Sequence, residues 1–182
     1  MIGKEKIVKL LKEVIYRSNI KNAEALFIGA ENGLTRYANS YIHQNVAEQD
    51  SRIFFKVVID QKIGVSSTNY LNSESLSSSL NEAAEIAERA RPNPYFKAFA
   101  KPAKYQRLNT FDMNTSKVTP AARAAIVKSI CTKAVRKNLV ASGAMSTSAS
   151  EIALVNTNGL VAYQPLTSAS ISIIISSGAS SG

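Results

Sequence analysis

Apolar residues in the first part of the chain recur with a helical period. Between Lys4 and Ser18, Ile7, Leu11, Val14 and Ile15 share one face and lysines take the other, which predicts an amphipathic helix. The period then shortens to two. Ala23 to Gly29 predicts a strand, Asn32-Gly33 a hairpin turn, and Leu34 to Ala38 a return strand. Tyr41 to Ala47 and Ser51 to Ile59 continue the alternation, and Asp60-Gln61-Lys62 is a tight connection to a strand over Ile63 to Thr68. A second helix opens at Asn72 or Ser73, with Leu76, Leu80, Ala83, Ala84, Ala87 and Ala90 as its apolar stripe, and ends at Arg91-Pro92-Asn93-Pro94.

No periodicity holds from there to Val118. The aromatics Tyr95, Phe96, Phe99, Tyr105 and Phe111 predict that this long connection packs along a surface instead of hanging free. Thr119-Pro120 then has the signature of a helix start, and Val127, Cys131 and Ala134 form the apolar line of a third helix. Strands are predicted over Ala141 to Ser148, Glu151 to Asn156, Leu160 to Leu166 and Ser168 to Ser176. In the last of these, Ile171, Ile173 and Ile175 face a core and the serines face away.

The two halves repeat. Ile7, Leu11 and Val14 match Val127, Cys131 and Ala134 at a shift of 120, and Ile53, Phe55 and Val57 match Ile171, Ile173 and Ile175 at a shift of 118. A competing register, pairing Asn32-Gly33-Leu34 with Asn158-Gly159-Leu160, requires an eight-residue deletion and is set aside. The expected fold class is α+β, a duplicated helix-plus-antiparallel-strands unit with an additional helix between the repeats. Residues 1–91 hold the first repeat and the linking helix, 92–118 a connecting loop, and 119–182 the second repeat.

Composition excludes more than it assigns. A chain of 182 residues with 45% hydrophobic content can bury a core, and no stretch is long and apolar enough to suggest a signal peptide or a membrane helix. The expectation is a soluble cytoplasmic protein. Cys131, the one cysteine, excludes a disulfide within the chain and reads as a buried, inert thiol. The formal charge of +9 is concentrated between Lys101 and Val140, where nine basic residues (Lys101, Lys104, Arg107, Lys117, Arg123, Lys128, Lys133, Arg136 and Lys137) meet one acid, Asp112. Such a stretch can meet nucleic acid or an acidic partner. Without an aromatic platform beside it, a solvated helix face plus a basic loop is the preferred reading.

Catalytic chemistry is thinly represented. His43, the only histidine, cannot supply a zinc site alone, so no metal ligand and no catalytic residue is assigned. It shares a strand face with Tyr41 and Asn45, and these three are the candidate lining of a peptide groove; the plainer alternative is a set of polar strand residues. Gly178-Ala179-Ser180-Ser181-Gly182 fits the nucleophile-elbow pattern, but the helix that must follow is missing and the histidine precedes the serine.

Two blocks carry a family resemblance. Gly33-Leu34-Thr35-Arg36-Tyr37-Ala38-Asn39-Ser40-Tyr41-Ile42-His43-Gln44-Asn45-Val46-Ala47-Glu48 and Ile63-Gly64-Val65-Ser66-Ser67-Thr68-Asn69 resemble conserved N-terminal segments of the TldD/PmbA family. That family was first described as modulators of DNA gyrase and later associated with zinc-dependent peptidases. Gly143 to Thr147 and Glu151 to Gly159 fit the family in the same order. The resemblance implies that this chain corresponds to an N-terminal domain, since family members are about two and a half times longer. Their His-Glu-x-x-x-His helix and late cysteine ligand have no matching positions here, so the chain alone is expected to be inactive. Zinc would belong to the full-length protein or to a partner subunit. The family also contains an inactive partner type, which Ile42-His43-Gln44-Asn45 is nearer to.

The implied function is a contribution to dimer assembly, with a TldD/PmbA-type subunit of the same or a different kind, and to a chamber that processes peptides or unfolded polypeptides. The alternative is a DNA- or gyrase-associated module using the basic stretch 101–137.

Overall fold

The computed structural model describes every residue except Arg107, Ala179, Ser181 and Gly182. The basic residue Arg107 and three residues of the elbow pattern therefore lie outside the described residues. In chain order the elements are α1 (Lys4–Arg17), β1 (Ala23–Ala38), β2 (Tyr41–Ile59), β3 (Lys62–Thr68), α2 (Ser73–Arg89), α3 (Met113–Ser116), α4 (Pro120–Val135), β4 (Val140–Asn156) and β5 (Val161–Ser176). The strands form one sheet in the order β3-β2-β1-β4-β5. The fold is α+β. A helix followed by a pair of long antiparallel strands occurs twice, with α2 between the copies.

The strands are longer than the sequence reading expects, and there are fewer of them. Asn32-Gly33 is not a turn: β1 runs straight through it, and Gly33 has no positive φ. The chain turns instead at Asn39-Ser40, with φ of 52° and 59°, and again at Asp60-Gln61, with 48° and 64°. Two successive left-handed residues are what a two-residue hairpin requires. The segments predicted as separate strands on either side of residues 48–50, 149–150 and 167 likewise join into β2, β4 and β5. The preferred repeat register fits these ends, since β1 ends at Ala38 and β4 at Asn156, 118 positions later.

Chain contacts divide the molecule into two compact units. The first comprises Met1–Gly29, Asp50–Asn109 and Glu151–Pro165. Its core joins Ile7, Leu11 and Ile15 of α1 to Ala25 and Phe27 of β1, Ile53, Phe55 and Val57 of β2, and Leu76, Leu80 and Ala83 of α2, all essentially inaccessible to solvent. Burying each large side chain in such a core contributes about 1.5–3 kcal/mol. The start of α1 has no side-chain cap at Gly3. The buried carboxylate of Glu151 takes that role, accepting the backbone N–H of Ile2 at 2.5 Å and of Gly3 at 3.0 Å, with the Tyr163 hydroxyl donating to it at 2.8 Å. A negative charge there also opposes the helix dipole favourably. Burial, followed by the bond to Glu151, pushes the Tyr163 phenol well above its ordinary value.

The long connection is tied down in the same unit. Asn156 donates to the carbonyl of Ala100 at 3.0 Å and Asn158 to that of Phe99 at 2.7 Å. Phe99 is buried and meets Phe96 edge-on, whereas Tyr95 and Tyr105 stay exposed. Part of the aromatic set therefore packs, as the sequence suggests, and part does not.

β3 and α2 meet closely. Gly64 faces the backbone of Ala83 and Ala87, leaving no room for a Cβ, and Ser66 hydrogen-bonds the Ser79 carbonyl and, at 2.7 Å, its hydroxyl. The small residues at positions 64 and 66 are thus a packing requirement.

The second unit comprises Ala30–Gln49, Thr110–Ser150 and the described residues from Leu166 onward. Tyr37, Val127, Cys131, Ala134 and Ala141 form its smaller core. One expectation fails here. Ile171 and Ile173 are 46% and 45% exposed, and only Ile175 packs against this core. Their counterparts Ile53 and Phe55 are buried because β3 pairs with β2 and α2 closes the first core. No element among the described residues does the same for β5.

Gly64→Ala drives a methyl group into helix backbone that cannot rotate away, so it should lower unfolding stability by about 2–3 kcal/mol. A urea melt showing less than about 0.5 kcal/mol of change would mean that α2 does not sit on β3 at this distance.

Candidate functional site

α4 begins where Thr119 accepts the Ala122 N–H at 3.1 Å and Pro120 occupies the first turn. That start sets the rotation of the helix and places Arg123 one turn before Val127, on the line that continues through Cys131 and Ala134. Arg123 is 1% exposed. The expectation of a solvated basic face is therefore wrong at this residue.

The guanidinium has four neutral acceptors. Nε donates to Thr35 Oγ1 at 3.3 Å, Nη1 to Thr147 Oγ1 at 3.3 Å and the Val118 carbonyl at 3.4 Å, and Nη2 to the Val46 carbonyl at 2.8 Å. Thr35 belongs to β1, Val46 to β2 and Thr147 to β4, so one side chain ties three strands to the helix. No carboxylate among the described residues is paired with it, and burial pushes its pKa below the usual arginine value. An arginine nevertheless remains charged in proteins. Gly33 lies directly against the guanidinium, where a Cβ would overlap it. This explains Asn32-Gly33 inside a strand: the glycine makes room for a charge, not for a turn.

The candidate groove residues do not converge on one point. Asn45 accepts from Thr35 Oγ1 at 2.8 Å and donates to the Pro120 carbonyl at 3.1 Å, so its side chain is engaged at the start of α4. Tyr41 is 73% exposed and lines an apolar groove of about 410 Å³ with Ile42, Cys131 and Val135. His43, between them in the strand, is exposed. Burial raises the Cys131 thiol above its ordinary pKa, which keeps it protonated and unreactive at neutral pH.

The strand carrying these residues has an unusual edge. β2 pairs with β3 only from Ile53 (opposite Thr68) to Ile59 (opposite Lys62). Upstream, over Tyr41 to Ala47, no described strand lies on the β3 side. Unpaired strand edges are templates for another extended chain.

No group of three or more His, Cys, Asp or Glu side chains that could hold a metal occurs among the described residues. No helix among the described residues is long and apolar enough to cross a membrane.

No sequence-family profile matches the chain, and no curated protein does. Solved structures do. TldE from Thermococcus kodakarensis superposes with a TM-score of 0.80 at 16% identity, covering 97% of this chain and 40% of that one. A protein of Bacteroides thetaiotaomicron described as a proposed modulator of DNA gyrase gives 0.80 at 14% identity, covering 96% of this chain and 42% of that one. A protein of Thermotoga maritima with a similar description gives 0.76 at 15% identity, with coverage of 94% and 39%. The chain has the fold found in these proteins and spans about two fifths of their length.

The Arg123–Gly33 contact predicts strong coupling. Gly33→Ala alone should destabilise the protein by about 2 kcal/mol through overlap with the guanidinium. In an Arg123→Ala background, itself costing about 1–3 kcal/mol for each buried acceptor left without a donor, the same change should cost less than about 0.5 kcal/mol. Additive costs in a chemical-denaturation cycle would show that the two residues do not share space.

Proposed function

We propose that this chain acts as the N-terminal domain of a TldD/PmbA-like protein, binding extended polypeptide along residues 41–47 of β2 as one wall of a peptide-processing chamber. The observation that carries this reading is the unpaired edge of β2 within a fold shared with TldE and gyrase-modulator structures. Backbone groups on such an edge bond any extended chain, and the exposed side chains Tyr41 and His43 are placed to read it. Asn45 keeps the strand in position through Thr35 and Pro120 and acts as a positioning residue. Assembly with a TldD/PmbA-type subunit, identical or different, completes the chamber in a cytoplasmic protein, and any catalytic zinc belongs to portions of the assembly outside these residues. The two α+β repeats, one within residues 1–91 together with the linking helix and one in 119–182, joined by 92–118, supply the frame.

Strand addition depends on backbone N–H groups of the bound peptide. A fluorescein-labelled unstructured peptide should bind with a measurable anisotropy change, and N-methylation of its central amides should weaken binding by roughly tenfold or more, the equivalent of losing one or two net hydrogen bonds. Equal affinity for the methylated and parent peptides would contradict strand addition.

A further inference from the structure

The groove beside Tyr41 has a chemistry that backbone recognition does not use. Its wall is mostly apolar, formed by Tyr41 and Ile42 of β2 and by Cys131 and Val135 of α4. Lys128 and Arg136 bound it on the helix. Both are exposed, and no described carboxylate is paired with either. The sequence holds no acid from Met113 to Ser150, so α4 brings no negative charge of its own to the groove. An apolar slot with two cations in its lining is complementary to an apolar side chain flanked by carboxylates.

The spacing of the two cations narrows the occupant. Lys128 lies on α4 and Arg136 caps its C-terminus eight residues later, about 12 Å along the axis. In an extended peptide, residues i and i+4 lie on the same side about 13 Å apart, with residue i+2 between them on that side. We propose that the groove docks an extended polypeptide segment of the form acid–any–apolar–any–acid, its central side chain lying against Tyr41, Cys131 and Val135 and its carboxylates meeting Lys128 and Arg136. The inference rests on the peptide-binding reading above and supplies the side-chain preference which that reading lacks. Duplex DNA would use the same cations but has no apolar residue for the slot.

The test uses the whole chain and fluorescein-labelled peptides containing Glu-Ser-Leu-Ser-Glu, its isomer Ser-Glu-Leu-Glu-Ser, and Lys-Ser-Leu-Ser-Lys, with a short DNA duplex as competitor. The first peptide should bind roughly tenfold tighter than the isomer, which has the same net charge with its acids turned to the opposite side. The double variant Lys128→Glu/Arg136→Glu should lose this preference and favour the lysine peptide, whereas Lys133→Glu/Lys137→Glu should not. Equal binding of the two isomers, indifference to the Lys128/Arg136 reversal, displacement of the peptide by DNA at lower concentration than by unlabelled peptide, or no peptide binding at all would each overturn the proposal. If charge register is irrelevant but N-methylation still weakens binding, the groove inference fails while strand addition stands. If charge register holds and N-methylation has no effect, the groove stands and strand addition falls.

Discussion

A buried guanidinium bonded to four neutral acceptors organises the second compact unit. Arg123 reaches Thr35, Val46, Val118 and Thr147; removing it would take a donor from all four, and the hydroxyl oxygens of Thr35 and Thr147 are buried. Burying a charge among neutral groups is expensive, so the arrangement tolerates little displacement. Other features follow from it. Residue 33 has to be glycine, α4 has to start at Thr119 for its first turn to aim inward, and the Val46 carbonyl is held beside the unpaired edge of β2. The proposed peptide edge is therefore anchored at Val46 by a side chain from another element.

The same logic separates the two copies of the repeat. In the first, β3 and α2 complete the core around β2, and close contact at Gly64 and Ser66 seats the helix on the strand. The second copy has no such additions among the described residues, and Ile171 and Ile173 of β5 remain half in solvent. Duplication supplies matching strands. The inserted helix and short strand decide which of them are covered, and so which surfaces remain available for binding.

Much of this was legible in the sequence, and the failures have identifiable causes. Stripes such as Ile7-Leu11-Val14-Ile15 and caps such as Asn72 and Thr119 locate the helices, because one-sided burial and orphan N–H groups leave clear marks. Asn32-Gly33 misleads because a glycine required for close approach looks the same as one required for a turn, while Asn39-Ser40 turns without any glycine. Arg123 was hidden by its class, since arginines on helices usually face water. Its position four residues before Val127 and eight before Cys131 was the available signal. Glu151 had no such signal: its partners, the amides of Ile2 and Gly3, lie nearly the whole chain away in sequence. The Tyr41, His43 and Asn45 alternation identifies the strand but not the different surroundings of its three side chains, which depend on where α4 lies.

Residue-resolved amide hydrogen exchange of the intact chain, with and without a saturating extended peptide, tests the central claim most directly. Free protein should exchange quickly at alternate amides within residues 41–47, and peptide should slow those amides while leaving β3 and α2 unchanged. Unaltered exchange over 41–47 in the presence of bound peptide, or protection confined to other elements, would contradict the assignment of this edge as the binding strand.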